Sequence, residues 1–124
     1  MITNFESIIL DSENATKLAD FYKEKIGLKQ TWDAVMGEDS KVYGFMLGEI
    51  ELVIMDHSEI KGKSKDPARI MLNLETDDID GDFARLKKAG VKIIAEIYHI
   101  EDYGQVATFE DLDGNYFQLV KTKE

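Results

Sequence analysis

Apolar residues along this chain fall into short alternating stretches, broken by two longer stretches of helical period. Residues 5–10 form the first strand candidate. Behind it Ala15, Leu18, Ala19, Tyr22 and Ile26 follow the spacing of one helical face. Asn14 suits the N-cap of that helix, and Gly27 its left-handed stop. Residues 29–35 read as a strand, and 41–47 with 49–55 read as a hairpin turning at Gly48. Residues 57–68 are polar, contain Pro67 (the only proline) and read as a linker. The same order then recurs: a strand over 69–74; a helix opened by Asp77 and Asp78, with Ile79, Phe83 and Leu86 on its apolar face and Gly90 at its end; then strands over 91–98, 106–110 and 116–120. Asp113-Gly114 is a strong turn signal between the last two.

Each half therefore reads strand, helix and three strands. Ser7 and Arg69, the first positions of the two units, lie 62 residues apart, half of the 124-residue chain. The expected fold is α+β, with two tandem βαβββ modules in one domain over 1–124: module 1 at 1–56, linker 57–68, module 2 at 69–124. Strand side chains alternate between faces. One parity is apolar (Ile8, Leu10; Ile50, Leu52, Ile54; Ile70, Leu72, Leu74; Phe117, Leu119) and is expected to pack on the helices. Each such burial stabilises by about 1.5–3 kcal/mol, so together they fix the register. The other parity mixes Phe5, Ile9, Val53 and Met55 with Ser7, Glu51, Arg69, Asn73 and Gln118. Apolar area with a few polar groups is the composition of a ligand cleft; the plain alternative is a half-exposed sheet face.

Composition narrows the function. Fifteen basic residues against 25 acidic leave a net charge of −10. Six against twelve lie in 1–62 (net −6) and nine against thirteen in 63–124 (net −4). Such a chain does not suit nucleic-acid phosphates, and it is compatible with a cationic ligand. With no cysteine, disulfides and thiolate chemistry are excluded. No apolar run reaches membrane length and no signal segment opens the chain, so a cytoplasmic location is expected. His57 and His99 are the only histidines; linker start and solvated loop are their simplest readings. A Glu51–His57 acid–base pair has nothing in the sequence to tie it together. Trp32 and Tyr103, with polar flanks, are candidates to stack on a planar ligand, and Tyr43 and Phe45 add to the aromatic supply.

Two stretches carry a resemblance. One runs Ser7-Ile-Ile-Leu, then Asn14 through Phe21-Tyr22, ending Ile26-Gly27-Leu28. The other is Tyr103-Gly104 followed by Phe109-Glu110-Asp111-Leu112-Asp113-Gly114-Asn115, where Leu112 stands in place of the usual proline. Together they make the chain similar to the vicinal oxygen chelate superfamily: glyoxalase I, bleomycin-resistance proteins, methylmalonyl-CoA epimerase, fosfomycin-resistance proteins and extradiol dioxygenases. The resemblance implies paired βαβββ modules whose curved mixed sheet forms a cleft, usually in a homodimer. It also maps the family's metal-ligand positions onto Ser7, Glu51, Arg69 and Gln118. Of these only Glu51 is a good ligand, and the Arg69 guanidinium has no lone pair to donate. No metal and no cofactor are therefore expected, with a divalent metal as the alternative. Arg69 would instead pair with Glu51 or with an anionic group of the ligand.

The leading expectation is a metal-independent small-molecule-binding protein of the bleomycin-resistance type, taking a cationic or aromatic antibiotic. Ser7, Arg69, Gln118, Trp32, Tyr43, Phe45 and Tyr103 are its candidate binding residues. The alternative is a glyoxalase I-like lyase or isomerase with Glu51 as base or metal ligand. A regulatory module with a vestigial cleft is the third reading.

Overall fold

A computed structural model describes residues 1–123. The chain divides into two compact units, residues 1–62 and 63–124. Both follow the same plan, and the class is α+β.

In the first unit, β1 (Ser7–Ser12) leads into α1 (Ala15–Asp20), which continues as a π-helical segment over Phe21–Ile26. Then come β2 (Gln30–Met36), β3 (Ser40–Leu47) and β4 (Ile50–Asp56). The sheet order is β1-β4-β3-β2, with β1 parallel to β4 and the other neighbours antiparallel. The helix start is fixed as its sequence implies: the Asn14 side chain accepts from the Lys17 N–H, and Gly27 closes the π segment at φ 89°. Asp56, at the end of β4, accepts from the Ala15 N–H at 2.8 Å and the Lys41 N–H at 3.0 Å. One carboxylate thus ties the helix start to the β2–β3 hairpin. Ala15, Leu18, Ala19, Tyr22 and Ile26 are all buried, and so is Phe21, beside Tyr22 on the π segment.

In the second unit, β5 (Leu72–Glu75) precedes α2 (Ile79–Lys88), followed by β6 (Lys92–Ile100), β7 (Gly104–Glu110) and β8 (Tyr116–Thr122). The order β5-β8-β7-β6 repeats that of the first sheet, with β5 parallel to β8. Asp78 caps α2 by accepting from the Gly81 N–H. Phe83 on α2 packs against Phe109, which stacks on Phe117 at 5.5 Å between centroids. This ring stack joins helix to sheet.

Two boundaries and one burial differ from the sequence reading. The strand expected from Arg69 begins at Leu72, because a turn at Pro67 takes the Arg69 N–H onto the Asp66 carbonyl. Ile70, expected in the core, is 75% exposed. The segment holding His99 is not a loop: His99 lies in β6, paired with Gln105.

Candidate functional site

The first sheet gathers three of the expected site residues on one face. The β1–β4 register sets Ser7 directly beside Glu51. Trp32 joins them through a β-bulge. Gln30 pairs with Phe45 but Trp32 pairs with Gly44, so Thr31 is an extra residue, and its hydroxyl donates to the Gly44 carbonyl at 3.3 Å. Without the bulge, alternation would turn Trp32 to the face of Gln30, toward the helix. With it, the indole lies on the Glu51 face and crosses β3 at Gly44. A Cβ added to Gly44 would fall onto the indole atoms Nε1, Cε2 and Cδ1. The indole N–H then donates to Glu51 Oε2 at 2.7 Å. Both residues are half-buried. Glu51 stands next to Met46 across the ladder, on a face that also carries Ile9 and Val53.

The same register corrects two expectations. Phe45 pairs with Leu52 and Tyr43 with Ile54, which places both on the helix-facing side, opposite Glu51. Phe45 is fully buried. The Tyr43 hydroxyl is 2.7 Å from the hydroxyl of Thr16 on α1. Phe45 is thus a core residue, and the half-buried Tyr43 is held against α1 rather than on the Glu51 face. His57 follows β4 directly, and its Nδ1 accepts from the Glu59 N–H at 3.1 Å, a local turn bond. Glu49 sits in the β3–β4 turn, so only Glu51 of that pair reaches the sheet face.

On the second sheet Gln118 pairs with Asn73 on one side and Thr108 on the other. The Gln118 side-chain N–H donates to the Thr108 hydroxyl at 2.8 Å. Arg69 is not part of this row; it lies exposed in the bend before β5. β5 begins only at Leu72, so Arg69 precedes the ladder in which Asn73 faces Gln118 as Ser7 faces Glu51. Tyr103 stands at the β6–β7 turn, 41% exposed, with its carbonyl accepting from the Lys123 N–H. A hollow of about 530 Å³ near the start of α2 is lined by Glu75, Thr76, Asp77, Asp82, Lys121 and Thr122, and by none of the expected site residues. Thr76 there donates to Asp82 at 2.6 Å and accepts from the Asp78 N–H.

These donors do not suit a divalent ion. On the first sheet Ser7 and Glu51 offer a hydroxyl and one carboxylate, and on the second Gln118 offers a neutral amide; neither group has the charge or imidazoles such ions select. Among the described residues no three His, Asp or Glu side chains come together as metal ligands would. Sequence reasoning missed Gly44, although an isolated glycine inside a strand pattern is a sign of close approach.

Comparison with known proteins agrees with this architecture. The uncharacterized protein YetH of Bacillus subtilis (strain 168) is 30% identical over 121 residues, covering 96% of this chain and 98% of YetH. TnmS3, an antibiotic binding protein from Streptomyces sp. CB03234, matches with a TM-score of 0.78 at 25% identity, over 98% of each chain. The fosfomycin resistance protein FosX of Listeria monocytogenes matches with a TM-score of 0.74 over 99% of this chain and 94% of its own; at 20% identity this likeness is one of fold. The family profile described as Glyoxalase/Bleomycin resistance protein/Dioxygenase superfamily matches residues 7–119, and the chain belongs to that superfamily.

Proposed function

We propose that this protein binds a small molecule without a metal, in the manner of the bleomycin-resistance proteins, and that the Glu51 face of the first sheet is where the ligand lies. One observation carries the reading: a half-buried carboxylate held by an indole on a face of Ile9, Met46 and Val53, with no cation bonded to it among the described residues. Apolar surface with one oriented polar group is how small-molecule sites are built. The net charge of −10 supports a cationic ligand, and Trp32 supports an aromatic one. The likeness to TnmS3, an antibiotic binding protein, supports an antibiotic. A homodimer is part of this reading; the exposure of Phe5 (62%) and Ile70 (75%) supports a covering second copy.

Thermal unfolding with bleomycin, an anthracycline and fosfomycin, with and without EDTA, tests the reading. A ligand at a hundredfold excess over its Kd stabilises by about 2.7 kcal/mol, a rise of several degrees. Stabilisation by at least one cationic aromatic compound, unchanged by EDTA and lost in Glu51→Gln, is the expected result. No shift with any compound, or a shift that needs a divalent metal, would overturn it. Turnover of a hemithioacetal that disappears in Glu51→Gln would favour the glyoxalase I-like lyase instead.

A further inference from the structure

Trp32 and Gly44 alone could be a sheet-stabilising device, since an aromatic ring laid over a cross-strand glycine covers exposed backbone. Two features go beyond that. First, the bulge at Thr31 aims the ring at the Glu51 face, and the indole N–H reaches past β3 to a carboxylate on β4. A carboxylate side chain has three rotatable bonds, and a bond of 2.7 Å to one oxygen selects among its rotamers. Second, that bond engages Oε2 only. Among the described residues Glu51 Oε1 takes no hydrogen bond or ion pair. By the strand register this face of the first sheet holds a second carboxylate, Asp11, and no lysine or arginine; Lys41 is on the opposite side, with Tyr43. The face is thus locally anionic, partly apolar and without an internal counter-ion.

We infer that Trp32 is a positioning residue, whose indole N–H, laid across Gly44, fixes Glu51 so that Oε1 is presented to the ammonium group of an aromatic amine. The inference rests on the binding face proposed above, narrows its cationic aromatic ligand to an ammonium and names the atom that reads it. The ammonium donates to Oε1, and the hydrocarbon part covers the face around Met46 and Ile9. A ligand carboxylate is repelled by Glu51, and a neutral hydroxyl forms a weaker, uncharged bond.

The probes are 2-phenylethylammonium, 2-phenylethanol and 3-phenylpropanoate, titrated into the intact protein. Trp32 is the only tryptophan, so its emission and its indole N–H resonance report the site directly. The ammonium is expected to bind at least tenfold more tightly than the alcohol and the carboxylate not at all, with the preference shrinking as salt is added. Glu51→Gln is expected to bring the ammonium to the level of the alcohol. Trp32→Phe keeps the ring but loses the N–H, and is expected to reduce the preference several-fold while the alcohol binds as before; it is read from backbone amide resonances, which also show that the variant is folded. Gly44→Ala displaces the indole and is expected to match Trp32→Phe in that preference. Equal binding of ammonium and alcohol to the wild type overturns the inference and leaves the binding face standing. So does a Trp32→Phe variant with full preference. If none of the three probes and none of the antibiotics perturbs Trp32, the binding face itself is wrong.

Discussion

Phe109→Ala is expected to lower the unfolding free energy by about 3–5 kcal/mol, a large share of the roughly 5–15 kcal/mol that holds an ordinary domain together. Phe109 is fully buried, pairs with Phe117 across β7 and β8, and lies between that ring at 5.5 Å and Phe83 of α2 at 5.6 Å. Truncation removes the middle ring of the stack that fastens α2 to its sheet. The rings on either side sit on different elements, so neither can close the gap without moving its own backbone. Phe109→Leu keeps more of the volume and should cost clearly less. Urea unfolding followed by far-UV circular dichroism gives the number. A loss below about 1 kcal/mol in the alanine variant would mean that the stack is not what joins helix to sheet.

Asp111→Ala should cost about 2–4 kcal/mol, for a polar rather than a packing reason. Asp111 is 3% exposed at the end of β7. Its Oδ1 accepts from the backbone N–H groups of Asp113 and Asn115, both at 2.9 Å, and its Oδ2 accepts from the Asn115 side-chain N–H at 3.1 Å. The turn that carries Gly114 at φ 79° into β8 is organised around this side chain. Without it, amide donors near a buried position lose their acceptor, and that loss exceeds the modest net worth of each bond. Asp111→Asn keeps one acceptor but sets two donors against each other at Asn115, so it should fall between wild type and alanine. Denaturant titration of the three proteins checks the order, and an alanine variant as stable as wild type would remove Asp111 as the organiser of the turn.

Much of the fold was legible because its signals are local. Asn14, Gly27, Asp78 and Gly90 mark helix ends by capping chemistry or positive φ, and each does so in the structure. The repeated order of elements followed from period alone. The π segment was not legible: a widened turn leaves the same apolar spacing, and only the burial of Phe21 beside Tyr22 betrays it. The start of β5 was misread because apolar alternation runs on through Ile70 into a bend, and alternation does not record where ladder bonds begin. His99 was misread for the reverse reason, since β6 carries its pairing close to the Tyr103 turn.

The site was half legible. Ser7, Glu51 and Gln118 were found by strand parity, and the registers place Ser7 beside Glu51 and Gln118 in a row with Asn73 and Thr108. Tyr43 and Phe45 were assigned to the ligand on aromatic character, yet their parity on β3 puts them against the helix. The family resemblance maps a ligand position onto Arg69, which lies exposed in the bend before β5, outside the ladder that pairs Asn73 with Gln118. What no sequence pattern displays is the bulge at Thr31, which decides on which face the indole stands.

The bond between Trp32 and Glu51 can be observed without any ligand. With one tryptophan in the chain, a proton–nitrogen correlation spectrum contains a single indole N–H signal. A donor bonded to a carboxylate at 2.7 Å should resonate downfield and exchange slowly with solvent. In Glu51→Ala that signal should move upfield and exchange faster, with Glu51→Gln between the two. An indole signal at the same position and exchange rate in wild type and Glu51→Ala would show that Trp32 does not hold Glu51, and the site built on that bond would fall.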